Sequence, residues 1–231
     1  MPSSGSKAAG EAAGPRYEFR VWAASLAAVR DRLEKLSGPQ SAEQSRETYI
    51  VSDATNDTNT KIRAGAMDIK VLVRTNRNLE QWNPYLKADF PIDAALIAEK
   101  IFPAMHVDPP ELRGQLFTAE LFVETVVKPH PRLAAVELGK VRRRYVLGGC
   151  DAEFVEVEIG GSVLQSVAVE STDPRAVLDA VGELAIGGYA NTSYVRQIKS
   201  MLGRGRRARA NPPADVDRAM AAPPRRPRRA R

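Results

Sequence analysis

The stretch Lys140-Val-Arg-Arg-Arg-Tyr-Val-Leu147, then Gly148-Gly149, then Ala152-Glu-Phe-Val-Glu-Val-Glu158 decides how this chain is read. In a strand, residues two apart share a face. Val141, Tyr145 and Leu147 therefore oppose Lys140, Arg142 and Arg144, with Arg143 as the exception on the apolar face. Val155, Val157 and Ile159 likewise oppose Glu156 and Glu158. A Gly-Gly pair suits the positive φ values of a two-residue hairpin turn. A second pair, Gly160-Gly161, leads into another strand over 163–170, so the region reads as a hairpin meander.

Working outward, the same alternation recurs. Over 16–22, Tyr17, Phe19 and Val21 oppose Glu18, Arg20 and Trp22. Over 67–73, Met67, Ile69, Val71 and Val73 oppose Asp68 and Lys70, and Lys61 and Arg63 form a further pair. Strands are also predicted over 47–52, 60–63 and 79–90, with Pro84 marking a bulge or edge in the last. Leu26, Val29, Leu33 and Leu36 recur at helical spacing, with Ser25 as a possible N-cap and Gly38-Pro39 as the stop. Further helices are predicted over 93–101, 118–127, 174–184 and 193–202, the last ended by Gly203. The class is α+β.

Composition sets limits. At 231 residues, 43% hydrophobic and 27% charged, the chain is not disordered throughout. One cysteine, Cys150, excludes a disulfide framework and a Cys-based zinc site and reads as structural or incidental. His106 and His130 are too few and too separated for a His-rich metal site. There is no apolar run long enough for a membrane helix and no apolar N-terminal region, so a cytoplasmic location is expected. The net charge of +6 is unevenly placed. Residues 204–231 hold ten Arg and two Asp, which makes a +8 tail on a body of charge −2. Residues 1–15 and the Arg/Pro-rich tail 204–231 are expected to be disordered, flanking a folded body over 16–203. The tail suits a solvated solubility segment, non-specific contact with nucleic acid or polyphosphate, or a tether to a membrane surface or partner.

The alternating strands allow two arrangements. One is an antiparallel sheet with a solvated charged face. The other is a closed sheet whose apolar face lies under helices and whose charged face lines an interior. The charges are sorted by strand, cations on Lys61/Arg63, Lys70 and Lys140/Arg142/Arg144 and anions on Glu156/Glu158. Rows of cations beside carboxylates suit a polyphosphate held with a hard divalent cation.

At these residues the chain resembles the CYTH domains, or triphosphate tunnel metalloenzymes. The resemblance rests on Lys61-Ile-Arg63, on the 67–73 strand with Lys70, on Lys140–Leu147 and the glutamate-bearing strand after it, and on Ser193-Tyr194. It implies an eight-stranded antiparallel β-barrel tunnel with flanking helices, which binds a triphosphate, nucleotide or polyphosphate. It also implies Mg²⁺ or Mn²⁺ as cofactor and hydrolysis of the ligand, or cyclisation in some members. Carried across by position, Lys61, Arg63, Lys70, Arg142 and Arg144 are the expected phosphate ligands. Glu18, Glu156 and Glu158 are the expected metal ligands, and Lys87 matches less clearly. The family signature Glu-x-Glu-x-Lys is replaced here by Glu18-Phe-Arg20-Val-Trp22, so a cation and an indole stand where a carboxylate and a lysine belong. A catalytically inactive anion-binding module, its basic tail contacting nucleic acid or a protein, is the alternative.

The remaining features read as structural. Glu153 lies on the apolar parity of its strand and is expected to be a strand-end surface residue. Trp82 reads as packing, and His130 between two prolines as a loop residue.

Overall fold

The computed structural model describes residues 14–114 and 116–210. Eight strands close into an antiparallel barrel: β1 (Arg16–Ala23), β2 (Ser41–Ser52), β3 (Thr58–Arg63), β4 (Ala66–Asn76), β5 (Leu79–Asp89), and then, after a short ribbon of β6 (Ile92–Asp93) and β7 (Leu116–Phe117), β8 (Leu133–Leu147), β9 (Cys150–Ile159) and β10 (Ser162–Ser171). Around the barrel the order is β1-β10-β9-β8-β2-β3-β4-β5. Of the two arrangements open to the sequence, this is the closed one. Gly148, Gly149, Gly160 and Gly161 all adopt positive φ, as their two-residue turns require. Between Ile69 and Lys70 the β4–β5 register shifts, and Lys70 then pairs with Pro84, the bulge that the proline predicts.

Helices cover the outer apolar faces. Ala27–Leu36 and Pro174–Glu183 pack on Tyr17, Phe19, Val21, Phe154 and Val167. The helical segments 94–104 and 119–127 cover Ile50, Ile62, Met67 and Ile69. The N-cap position falls on Leu26, one residue after Ser25, whose Oγ accepts from Ala27 N–H at 3.4 Å. No described helix is long and apolar enough to cross a membrane.

The last helix, Tyr194–Ala210, is placed differently. It runs past Gly203 into the segment expected to be tail; the rest of that tail, 211–231, and residues 1–13 lie outside the described residues. Tyr194, Val195 and Ile198 are buried against Tyr49, Val51, Leu138, Val155, Val157 and Ile159, the inward side chains of β2, β8 and β9. The helix therefore fills one end of the barrel. It is steered there by β1. That strand pairs with β5 only from Arg16 to Glu18, which leaves the rest of its edge free. The segment before the helix takes that edge: Arg20 N–H donates to Asn191 Oδ1 at 2.9 Å, Thr192 N–H donates to Arg20 O at 2.8 Å, and Trp22 Nε1–H donates to Thr192 O at 2.8 Å. The Trp22 ring meets Tyr194 edge-on with centroids 4.8 Å apart.

Candidate functional site

The unfilled end of the barrel is a cavity of about 390 Å³. Its charged lining comprises six cations, Arg20, Lys61, Arg63, Lys70, Arg142 and Arg144, and five carboxylates, Glu18, Asp68, Asp151, Glu153 and Glu170. All five expected phosphate ligands thus share one cavity, together with Glu18. Lys87 is exposed and not among the lining residues.

Glu156 and Glu158 are elsewhere. Directly opposed residues of an antiparallel pair lie on the same face. The register sets Arg142 opposite Val155 and Arg144 opposite Glu153, but Glu156 opposite Val141 and Glu158 opposite Gly139. Glu156 and Glu158 therefore point outward, where they border a shallow depression with Gln44, Arg46 and Val163. The polar face of β8 joins the apolar face of β9, because the inward valines of β9 pack on the C-terminal helix. The same parity corrects Glu153: it is no surface residue but sits at the centre of the cavity.

Glu153 and Arg20 form one half of the charge network. Arg20 is 5% exposed. Its Nη2 lies 2.8 Å from Glu153 Oε1, its Nε donates to Glu18 Oε1 at 2.8 Å, and its Nη1 donates to Ser166 Oγ at 3.2 Å. The guanidinium carbon lies 4.6 Å from the Tyr194 ring centroid. Arg142 Nε adds a contact of 3.0 Å to the other Glu153 oxygen. Burial alone would raise the Glu153 carboxyl, but Arg20 and Arg142 outweigh it and hold it at about 2.

Glu47 organises the other half, and its sequence position gave no hint of this. Its side chain is fully buried, and Lys140 Nζ donates to Oε2 at 2.8 Å and to Tyr49 Oη at 3.0 Å. Lys61 and Arg142 approach it at 3.6 Å and Arg63 at 3.8 Å. Against the upward push of burial, Lys61 and Lys140 bring Glu47 to about 2. Lys140 is itself driven down to about 7 by burial, which its partner Glu47 only partly opposes. Its ammonium sits 3.9 Å from the Tyr194 ring centroid and 4.7 Å from that of Tyr49.

Nearer the mouth the pairing is looser. Lys61 and Arg63 stand 3.6 and 3.9 Å from Asp68. Arg144 and Arg142 share Glu43, at 3.1 and 2.8 Å. Among the described residues, Lys70 is the lining cation with no carboxylate oxygen within 4.0 Å. Asn59 Oδ1, Ser193 Oγ and Tyr194 Oη belong to lining residues, are buried, and have no hydrogen-bond partner among the described residues. Trp82 lines the cavity too, its Nε1–H donating to Glu80 Oε2 at 3.2 Å.

The donor set does not fit a divalent metal. Among the described residues, no group of three or more His, Cys, Asp or Glu side chains converges to hold one. Glu18 and Glu153, the carboxylates that flank the expected position, both already hold the Arg20 guanidinium.

No family model matches the chain, and no curated protein matches it in sequence. Solved structures do resemble it. A Hippeastrum protein with a dominant triphosphatase activity is 15% identical, with a TM-score of 0.48 over 80% of this chain and 96% of its own. A candidate adenylate cyclase from Bacillus halodurans is 11% identical, with a TM-score of 0.46 over 80% and 98%. A Pyrococcus horikoshii protein is 14% identical, with a TM-score of 0.44 over 79% and 98%.

Proposed function

We propose that the barrel binds a phosphorylated anion, a triphosphate or a close relative, within the open half of its interior. One observation carries this reading. Five cations from three different strands, named from the sequence as phosphate ligands, line a single cavity beside three buried polar atoms that lack partners among the described residues. An eight-stranded barrel leaves room for one small ligand, and this cavity lies in the range of roughly 300–1,000 Å³ usual for such sites.

Lys61, Arg63, Lys70 and Arg144 are the groups to grip the ligand. Their existing ion contacts are long, shared or, for Lys70, lacking among the described residues, so little pairing is lost when they turn to phosphate oxygens. Arg142 lies deeper and is tied to Glu153 and Glu43. The carboxylates keep the empty cavity from carrying six uncompensated cations. They also set a threshold: an anion must offer enough charge to compete with them, which favours a polyphosphate over a single phosphate.

Isothermal titration with tripolyphosphate, ATP and orthophosphate tests this, with release of phosphate followed in parallel. Tripolyphosphate is expected to bind more tightly than orthophosphate. Lys70→Ala and Arg63→Ala are each expected to weaken it about tenfold, the loss of one charge-assisted hydrogen bond. No binding of either polyphosphate, or unchanged binding in both variants, would remove the reading.

A further inference from the structure

We infer that this barrel holds its phosphorylated ligand without a divalent cation, because the Arg20 guanidinium permanently occupies the place between Glu18 and Glu153 that such an ion would need. The inference rests on the proposed phosphoanion site and adds how charge is balanced there.

Arg20 is built into the barrel wall rather than laid on it. Its backbone is fixed on both edges, by pairing with Ala168 on one side and by Asn191 and Thr192 on the other. Its guanidinium has two carboxylates, a hydroxyl and an aromatic face as partners. Planar, delocalised and weakly hydrated, a guanidinium is the cation best suited to this burial. Glu18 and Glu153 outweigh the downward push of burial and keep it charged.

A metal could enter only against this arrangement. Like charges repel in proportion to their product, so a divalent ion beside the guanidinium meets twice the repulsion of a monovalent one. Such an ion would also have to strip Glu18 from Arg20, and Glu153 from both Arg20 and Arg142. Anions meet no such barrier. The side chain supplies positive charge to the cavity at no cost in ordering, since it is already in place.

The experiment is titration of tripolyphosphate into the full chain in EDTA and again with Mg²⁺ or Mn²⁺. It is joined by a Mn²⁺ titration without anion, followed by electron paramagnetic resonance. Binding in EDTA, no tighter with metal, and no protein-bound Mn²⁺ are expected. In Arg20→Ala, Glu18 is released and Glu153 keeps only its contact to Arg142. Binding in EDTA should weaken at least about tenfold, metal should restore it, and bound Mn²⁺ should appear. If Arg20→Ala loses its cooperative melt, Arg20→Lys replaces it and is expected to bind in EDTA. Binding that requires metal in the wild type or in Arg20→Lys overturns the inference and leaves the phosphoanion site standing. So does Mn²⁺ bound to the wild type. No binding in either buffer removes the site, and the inference falls with it.

Discussion

The two halves of the barrel interior are built on opposite principles, though the same strands run through both. In the open half, Glu18, Arg20, Arg142 and Glu153 face one another across a cavity. In the closed half, Val155, Val157, Ile159, Val51 and Leu138 meet Val195 and Ile198 of the C-terminal helix. β9 crosses from one to the other within three residues, from Glu153 to Val155. The boundary is the layer of Tyr49, Lys140 and Tyr194, where an ammonium lies beside two stacked aromatic rings. The closed half is a core of the ordinary kind, stabilised by excluding water, at roughly 1.5–3 kcal/mol for each large side chain fully buried. The open half is held by pairing, and removing one partner there leaves the other uncompensated. Fixing the closed half is what allows the open half to keep its charges in place.

The largest effect is expected at the boundary. Glu47→Ala should cost about 3–5 kcal/mol in denaturant unfolding, because it leaves Lys140 buried with Arg142 beside it and no counter-charge. The cost belongs to the broken pair, not to the charge itself. Glu47→Leu combined with Lys140→Met should therefore recover much of it. A double variant as unstable as the single one would show that Lys140 stabilises by its cation–aromatic contacts instead.

In the closed half, Ile198→Ala should cost about 2–4 kcal/mol, a cavity in a packed core. It lies in the closed half and adds no polar group to the cavity, so tripolyphosphate affinity measured well below the melting temperature should stay within error. A fall in affinity matching that of Lys70→Ala would mean the two halves are not separable.

The acid limb of stability sharpens the contrast further. Glu47 and Glu153 both have folded values of about 2 against an ordinary carboxyl near 4.5. A depressed value contributes stability that is complete above the unfolded value and lost as pH falls through the folded one. Unfolding free energy is thus expected to drop by a few kcal/mol between about pH 4.5 and pH 2. In Glu47→Leu/Lys140→Met the drop should be shallower, leaving the contribution of Glu153.

How far these halves can be read from sequence depends on which relation is asked for. Alternation within a strand is local, and the charged sides of β1, β4 and β8 were legible from Arg20, Lys70 and Arg142. The phase between neighbouring strands is not contained in either strand. It was contained in the turn. Two residues at Gly148-Gly149 place Leu147 opposite Cys150, and counting back puts Arg144 opposite Glu153 and Val141 opposite Glu156. Read that way, Glu153 joins the cations and Glu156 leaves them. What no local signal carries is why the inward valines of β9 have a partner at all. That depends on the C-terminal helix entering the barrel, and its route is set by Asn191 and Thr192 on an edge of β1 that β5 leaves free.

Glu156 and Glu158 give the smallest expected effect and the most direct check on that phase. On charge pattern alone they look like the partners of Lys140, Arg142 and Arg144. In the barrel they sit behind the wall that carries those cations, bordering the outer depression with Gln44 and Arg46. Outward carboxylates away from buried partners contribute within about 0.5 kcal/mol. Glu156→Ala and Glu158→Ala should therefore leave both the unfolding midpoint and tripolyphosphate affinity unchanged. Glu153→Ala should alter both, because Arg20 and Arg142 lose the carboxylate they share. The reverse result, with Glu156 or Glu158 controlling affinity and Glu153 silent, would mean that β9 is turned by one residue relative to β8. A one-residue slip exchanges the two faces of a strand, so these substitutions separate the two registers.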